Sequence, residues 1–231
     1  MIKIFIDAGH GGSSIGASYK GRKEQDDCLR LAKGVRDKLL TQTGVEVMLS
    51  REDDTNPSLD ERCAKANEWG AHYFLSIHRN AFKPNQAKGV EIWLYSAVKK
   101  GGETYRIGEK ILMSVVDSTG FVNRGVKLGA PSYKDFVVNS NTNMHSALLE
   151  VGFIDNPNDN IIFDTCFDAM CENIAKSLYT SLGGKWVKPV VDDSMYRVVT
   201  GSFRNKKYAE NRVKVLKELG FESFIEKVKK G

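Results

Sequence analysis

Short β-branched runs alternate with amphipathic helical stretches along the first 182 residues, and this alternation limits the fold more tightly than any other feature. Residues 2–7 read as a strand that ends at the Gly-rich turn Gly9-His10-Gly11-Gly12. Over 24–42, Leu29, Ala32, Val35, Leu39 and Leu40 recur at helical spacing, and Gly44 stops them. Strands are expected at 45–50, 72–78, 90–95 and 147–151. Helices are expected at 59–69, 103–117 and, as one long closing helix, 160–182. Strands that alternate with helices predict an α/β fold with a mostly parallel twisted sheet flanked by helices. In such sheets ligands collect at the carboxyl ends of the strands.

Gly183-Gly184 and Pro189 break the pattern, so 183–194 reads as a linker after a domain at 1–182. A strand at 196–203, a helix at 207–219 and a strand at 221–228 then make a small C-terminal β-α-β module at 195–231. The net charge of +5 is uneven, because ten basic and six acidic residues lie within 192–231. That balance marks the module as a docking unit, while the larger domain is nearly neutral. A nucleic-acid-binding protein would show a basic patch with interleaved aromatics there, so that class is set aside. An apolar share of 41% with 27% charged residues excludes disorder and coiled coil.

No apolar run approaches the ~18–20 residues of a membrane span. The opening MIKIFIDAGHGG has too short an apolar core for a signal peptide, so synthesis in the cytoplasm and action after release at lysis are expected. Cys28, Cys63, Cys166 and Cys171 form no CxxC and are expected as reduced, mostly buried thiols.

His10, His78 and Glu150 each fall at the end of a predicted strand, and Glu24 opens the first helix. One parallel sheet would bring all four to the same edge. Two His and one carboxylate, with a position left for water, make a catalytic zinc arrangement, and the remaining carboxylate can serve as general base. The alternative is that each is an ordinary solvated or hydrogen-bonded side chain. Against it, a strand-end Glu inside SALLEVGF is costly to bury unless paired or working. His72 and His145 sit at strand starts and are expected to face solvent or bond backbone. Cys28, one turn after Glu24, is expected to be a small buried hydrophobe. Ser76 and His78, two apart on a strand, do not make a serine triad.

Six motifs then occur in order: IDAGHGG (6–12), Glu24 in KGRKEQDD, SRxxD (50–54), SIHRNA (76–81), NRGVK (123–127) and LLEVGFIDNP (148–157). Together they resemble the zinc-dependent N-acetylmuramoyl-L-alanine amidases of the amidase-3 type, over about residues 1–182. The resemblance implies that His10, Glu24 and His78 hold one zinc ion and that Glu150 is the catalytic carboxylate. The substrate implied is the peptidoglycan amide between N-acetylmuramic acid and L-alanine, and both a phage endolysin and a mother-cell autolysin fit that reading. Ser14 departs from the family, which often carries Asp in the GGxDxGA turn. Asn80 is a candidate for orienting substrate or supporting the ligand shell, with an ordinary turn Asn as the alternative. Arg51 and Arg62 are candidates for substrate carboxylates, with an ion pair as the commoner use. A catalytically inactive peptidoglycan-binding protein of the same fold is the rival reading.

YRVVTGSFRNKKYAENRVKVLKELGFESFI (196–225) resembles the first half of a SPOR domain, which implies binding to glycan strands. A complete module of that kind has two β-α-β halves, and only one is encoded. About forty residues seldom bury enough surface alone, and a two-stranded sheet leaves an unpaired edge. A homodimer through residues 192–231 is therefore expected, with two copies completing one sheet.

Overall fold

Residues 4–8 are all buried, so β1 (Ile2–Ala8) lies inside a sheet rather than at its edge. A two-residue hairpin, β2 (Ser18–Tyr19) and β3 (Arg22–Lys23), leads into α1 (Glu24–Leu39). Then come β4 (Val45–Leu49), α2 (Leu59–Trp69), β5 (Tyr73–Asn80), β6 (Val90–Leu94), α3 (Glu103–Thr119), β7 (Asn123–Leu128) and α4 (Val137–Ser140). β8 (His145–Phe153), α5 (Pro157–Thr165) and α6 (Phe167–Ser181) follow. This computed structural model describes residues 1–188, 201–220 and 223–227. The chain divides into two units, Met1–Pro189 and Val190–Gly231.

The sheet order is β4-β1-β5-β8-β6-β7. β4, β1, β5 and β8 run parallel, β6 runs antiparallel to β8, and β7 is parallel to β6. The sheet is thus mostly parallel, as the alternation predicts. On one face Tyr73, Leu75, Ile77, Leu149 and Ile92 pack against α1, α3 and α6. On the other, Phe5, Phe74 and Leu148 pack against Cys63 and Ala66 of α2 and Val138 of α4. Phe5 and Phe74 stack at 5.3 Å on neighbouring strands. Removing either ring would cost about 3–5 kcal/mol, the usual range for a buried Phe cut back to Ala. The helices on this second face are short and leave its carboxyl end uncovered by core residues.

Local chemistry sets the element ends. Ser58 and Glu61 form a reciprocal capping box at the start of α2, and Gly70 ends it in the left-handed region. The expected helix at 160–182 is instead two. Asn156 caps α5 one residue before Pro157, so the helix begins earlier, and Cys166 (φ −101°, ψ 13°) breaks it from α6. No Gly or Pro marks that break. It falls between Phe163 and Phe167, whose rings pack at 5.9 Å under the Arg22, Arg30 and Arg79 guanidiniums. β7 was not expected as a strand.

The expected linker also starts too early at 183. Trp186 packs edge-on against Tyr179, and the Val187 backbone exchanges two hydrogen bonds with the Gln42 side chain. In the second unit, α7 (Lys206–Glu218) matches the expected helix and is capped by Asn205. The flanking strands expected at 196–203 and 221–228 lie largely outside the described residues. Their described parts, 201–203 and 223–227, carry no strand. Among the described residues no helix is long and apolar enough to cross a membrane. All four cysteines are free, and three are buried.

Candidate active site

The chain leaves β1 through a turn that only small residues and unusual backbone allow. His10 (φ 60°), Gly11 (φ 130°) and Gly12 (φ 52°) all lie at positive φ. Two buried guanidiniums hold this turn from below. Arg51 donates to the carbonyls of Ala8 (3.0 Å), Gly9 (2.9 Å), Gln25 (2.7 Å) and Asp53 (2.9 Å). Arg62 donates to the carbonyls of Ala8 and His10 and to Asp7 Oδ1 at 2.6 Å. Asp54 accepts from the Gly12 N–H at 2.8 Å. The SRxxD segment is therefore the scaffold of the His10 turn. This corrects the expectation that Arg51 meets a substrate carboxylate. It is 3% exposed, and its donors are taken by main-chain carbonyls.

The other residues converge on that turn. His78 lies late in β5, and its direct partner on β8 is Glu150. Cross-strand partners share a face, so both side chains rise from the face that α2 and α4 leave uncovered. Glu24, the first residue of α1, reaches across the strand ends. Its Oε1 lies 3.1 Å from His10 Nε2 and 2.9 Å from His78 Nδ1. The backbone N–H groups of Arg79 and Ala17 donate to its two oxygens. One ligand atom from each of His10, Glu24 and His78 lies within 4.8 Å of the others. No other group of three such residues does so among those described.

The electrostatics agree with a cation site. Burial would raise the Glu24 carboxyl, yet the two imidazoles outweigh it and hold the acid well below its usual range. Burial would lower His78, but the Glu24 hydrogen bond and charge lift it to about 9. Two imidazole nitrogens and a carboxylate oxygen are a donor set suited to zinc, and a metal ion would replace the protons that otherwise hold them together. His10 Nδ1 and Ser14 Oγ share a hydrogen bond at 3.1 Å, so Nε2, which faces Glu24, is the nitrogen that could serve as a ligand. Burial lifts Glu150 to about 8. Its Oε2 is buried without a hydrogen-bond partner beside this cluster.

Asn80 makes no hydrogen bond to His10, Glu24 or His78 and is held by other partners. It accepts from the Ala81 N–H and donates to Glu91 at 3.0 Å. His72 accepts from the Lys3 N–H, and His145 bonds Thr104. Cys28 is wholly buried, and burial raises its thiol well above the usual value. Glu91 is not singled out by the sequence, and Arg124, inside NRGVK, gains no role of its own from it. The signal for Glu91 was a charged residue at a core position of the strand VEIWL.

Residues 4–182 match the Amidase_3 family, described as N-acetylmuramoyl-L-alanine amidase. The chain belongs to this family. It is 36% identical over 227 residues to the N-acetylmuramoyl-L-alanine amidase CwlM of Bacillus licheniformis, covering 97% of this chain and 85% of that one. It is 33% identical to the sporulation-specific N-acetylmuramoyl-L-alanine amidase of Bacillus subtilis (strain 168), over 97% and 84% of the two chains. Among solved structures, an N-acetylmuramoyl-L-alanine amidase from Clostridium difficile 630 superposes with a TM-score of 0.71 at 32% identity. That match covers 80% of this chain and 98% of the other. As an amidase of this family, the chain is a hydrolase of the peptidoglycan amide.

Proposed function

We propose that this amidase is zinc-dependent, with His10, Glu24 and His78 as ligands and Glu150 as the catalytic carboxylate. One observation carries the reading: two imidazoles and a carboxylate meet beside a buried carboxylate oxygen that has no partner. Bound zinc would polarise the scissile carbonyl and acidify water toward a pKa of ~7. Glu150 takes the proton of the attacking water and then delivers one to the alanine amine as it leaves. The Arg51 and Arg62 guanidiniums keep the His10 turn fixed, so the ligand geometry exists before substrate binds.

Digestion of purified peptidoglycan with mass analysis of the products tests this. Stem peptides freed with an L-alanine amino terminus are expected, and new reducing sugar ends would refute the reading. Glu150→Gln should keep zinc and fold while losing about 10²–10⁴-fold in rate, the usual contribution of a general acid–base group.

For residues 192–231 we propose a SPOR-like half-module that binds glycan strands and pairs with a second copy. Support comes from α7 and the residues after it. Tyr208, Leu219 and Phe224 are exposed, and no residue of the helix is buried. Light scattering on the full chain tests the pairing, and a monomer at micromolar concentration refutes it. Co-sedimentation with peptide-free glycan strands tests the binding. We propose action on the wall at lysis, as a phage endolysin or as an autolysin of a lysing mother cell; a sporulation-specific amidase and an endolysin are both among the relatives.

A further inference from the structure

The polar row that holds His78 and Glu150 continues for two more strands. Glu91 of β6 is the direct partner of Glu150, and it is 4% exposed. Its carboxylate is fully engaged. Oε1 accepts from Asn80 Nδ2 (3.0 Å) and Trp93 Nε1 (3.1 Å), and Oε2 accepts from Arg124 Nε (2.8 Å). Arg124 itself stands on β7, where the ladder slips. Val90 pairs with Asn123, but Ile92 pairs with Val126, so β7 carries an extra residue there. Gly125 sits at φ 88° within that bulge. Bulges re-aim side chains, and this one brings the Arg124 side chain onto Glu91.

Arg124 is consequently pinned on two sides. Glu91 holds Nε, and the guanidinium lies 4.9 Å from the centre of the Phe153 ring. Its side chain still keeps 36% exposure. The two terminal NH₂ groups make no hydrogen bond among the described residues. A guanidinium held this way loses little freedom on binding and offers a fork matched to a carboxylate.

Its place in the row decides which part of the substrate it meets. Metal ligands lie on the β1–β5 side of Glu150, and Arg124 lies on the other side, two strands away. Glu150 protonates the leaving amine, so the peptide half of the substrate extends to that side. The lactyl carboxyl of the sugar half is already used in the scissile amide, whereas the peptide half retains free carboxyl groups.

We infer that Arg124, positioned by Glu91, is a specificity-determining residue that binds a carboxylate of the stem peptide. The inference rests on the amidase reading of the same site. Calorimetry on the full chain tests it with two product tripeptides, L-Ala-γ-D-Glu-L-Lys and the same peptide with the D-Glu α-carboxyl amidated. The acid form is expected to bind about tenfold more tightly, as charge-assisted bonds are stronger than neutral ones. Arg124→Gln should abolish that preference, Arg124→Lys should restore part of it, and Glu91→Gln should weaken it. In peptidoglycan digestion Arg124→Gln should raise KM more than it lowers kcat. Equal binding of the two peptides by the wild type, no binding of either at millimolar concentration, or an unchanged preference in Arg124→Gln would each overturn the inference. Digestion products report the amidase reading separately. A wild type that prefers the acid peptide but frees no stem peptides would refute that reading and leave the Arg124 site standing.

Discussion

His78 and Glu150 are direct partners across the parallel strands β5 and β8. This pairing places an imidazole of the His10–Glu24–His78 cluster beside the carboxylate proposed to handle protons, although 71 residues separate them in the chain. Strand pairs hold side chains about 5 Å apart on one face. Water held near His78 is therefore within reach of Glu150 without any loop closure.

The metal cluster should be separable from the fold. His78→Ala and His10→Ala are expected to lose bound zinc, measured by elemental analysis, while the far-UV dichroism stays native. A chelator should remove activity from the wild type, and added zinc should restore it. Retention of stoichiometric zinc by both variants would show the ligands to be elsewhere.

Ser14 should tune the metal rather than the chemistry. Its hydroxyl shares a hydrogen bond with His10 Nδ1 and so helps orient the ring with Nε2 toward Glu24. Ser14→Ala is expected to weaken zinc affinity about tenfold, the low end for loss of such a supporting bond. Ser14→Asp, which restores the residue common in the family, should match or exceed the wild type. Competition with a chromophoric chelator measures both.

Gly9 is expected to tolerate no side chain. A Cβ there would run into the His78 ring. Gly9→Ala should cost about 1–3 kcal/mol of overpacking, felt first at the metal site. The check is zinc affinity alongside the denaturant midpoint, with the affinity falling further than the midpoint.

The Asp7–Arg62 pair should control acid stability. Burial alone would raise the Asp7 carboxyl, but the Arg62 guanidinium and the Ser76 hydroxyl hold it below its usual value. A depressed acid stabilises the fold fully above its unfolded pKa of about 3.9 and loses that contribution as pH falls through its folded value. Urea midpoints for the wild type should therefore drop below about pH 4. At neutral pH, Asp7→Asn leaves Arg62 buried without its counter-charge and should cost about 3–5 kcal/mol. The gap between the two proteins should narrow on acidification, and a constant gap would disprove the assignment.

The polar residues at the site were legible because each interrupts an apolar strand or opens a helix, where burial is costly without a purpose. The scaffold beneath them was harder to read. Arg51 looks like any loop arginine in sequence, and only the folded His10 turn supplies four carbonyls for it to bind. The link between Glu91 and Arg124 was not legible for a related reason. Their contact depends on a bulge in β7, and Gly125 alone gives no sign of which neighbour the bend serves.

The sequence by itself determined the alternation of strands and helices, the Gly-rich turn after β1, and the helix boundary at Gly70. These follow from period, φ preference and capping, which act over a few residues. Only the tertiary structure decided the order β4-β1-β5-β8-β6-β7, which seats β8 between β5 and β6 and so sets Glu150 between His78 and Glu91. It also decided the break at Cys166, the reach of Glu24 across the strand ends and the use of Arg51 as a prop. Strand order and register are selected by contacts between distant segments, and a one-residue slip would turn every side chain of a strand to the opposite face.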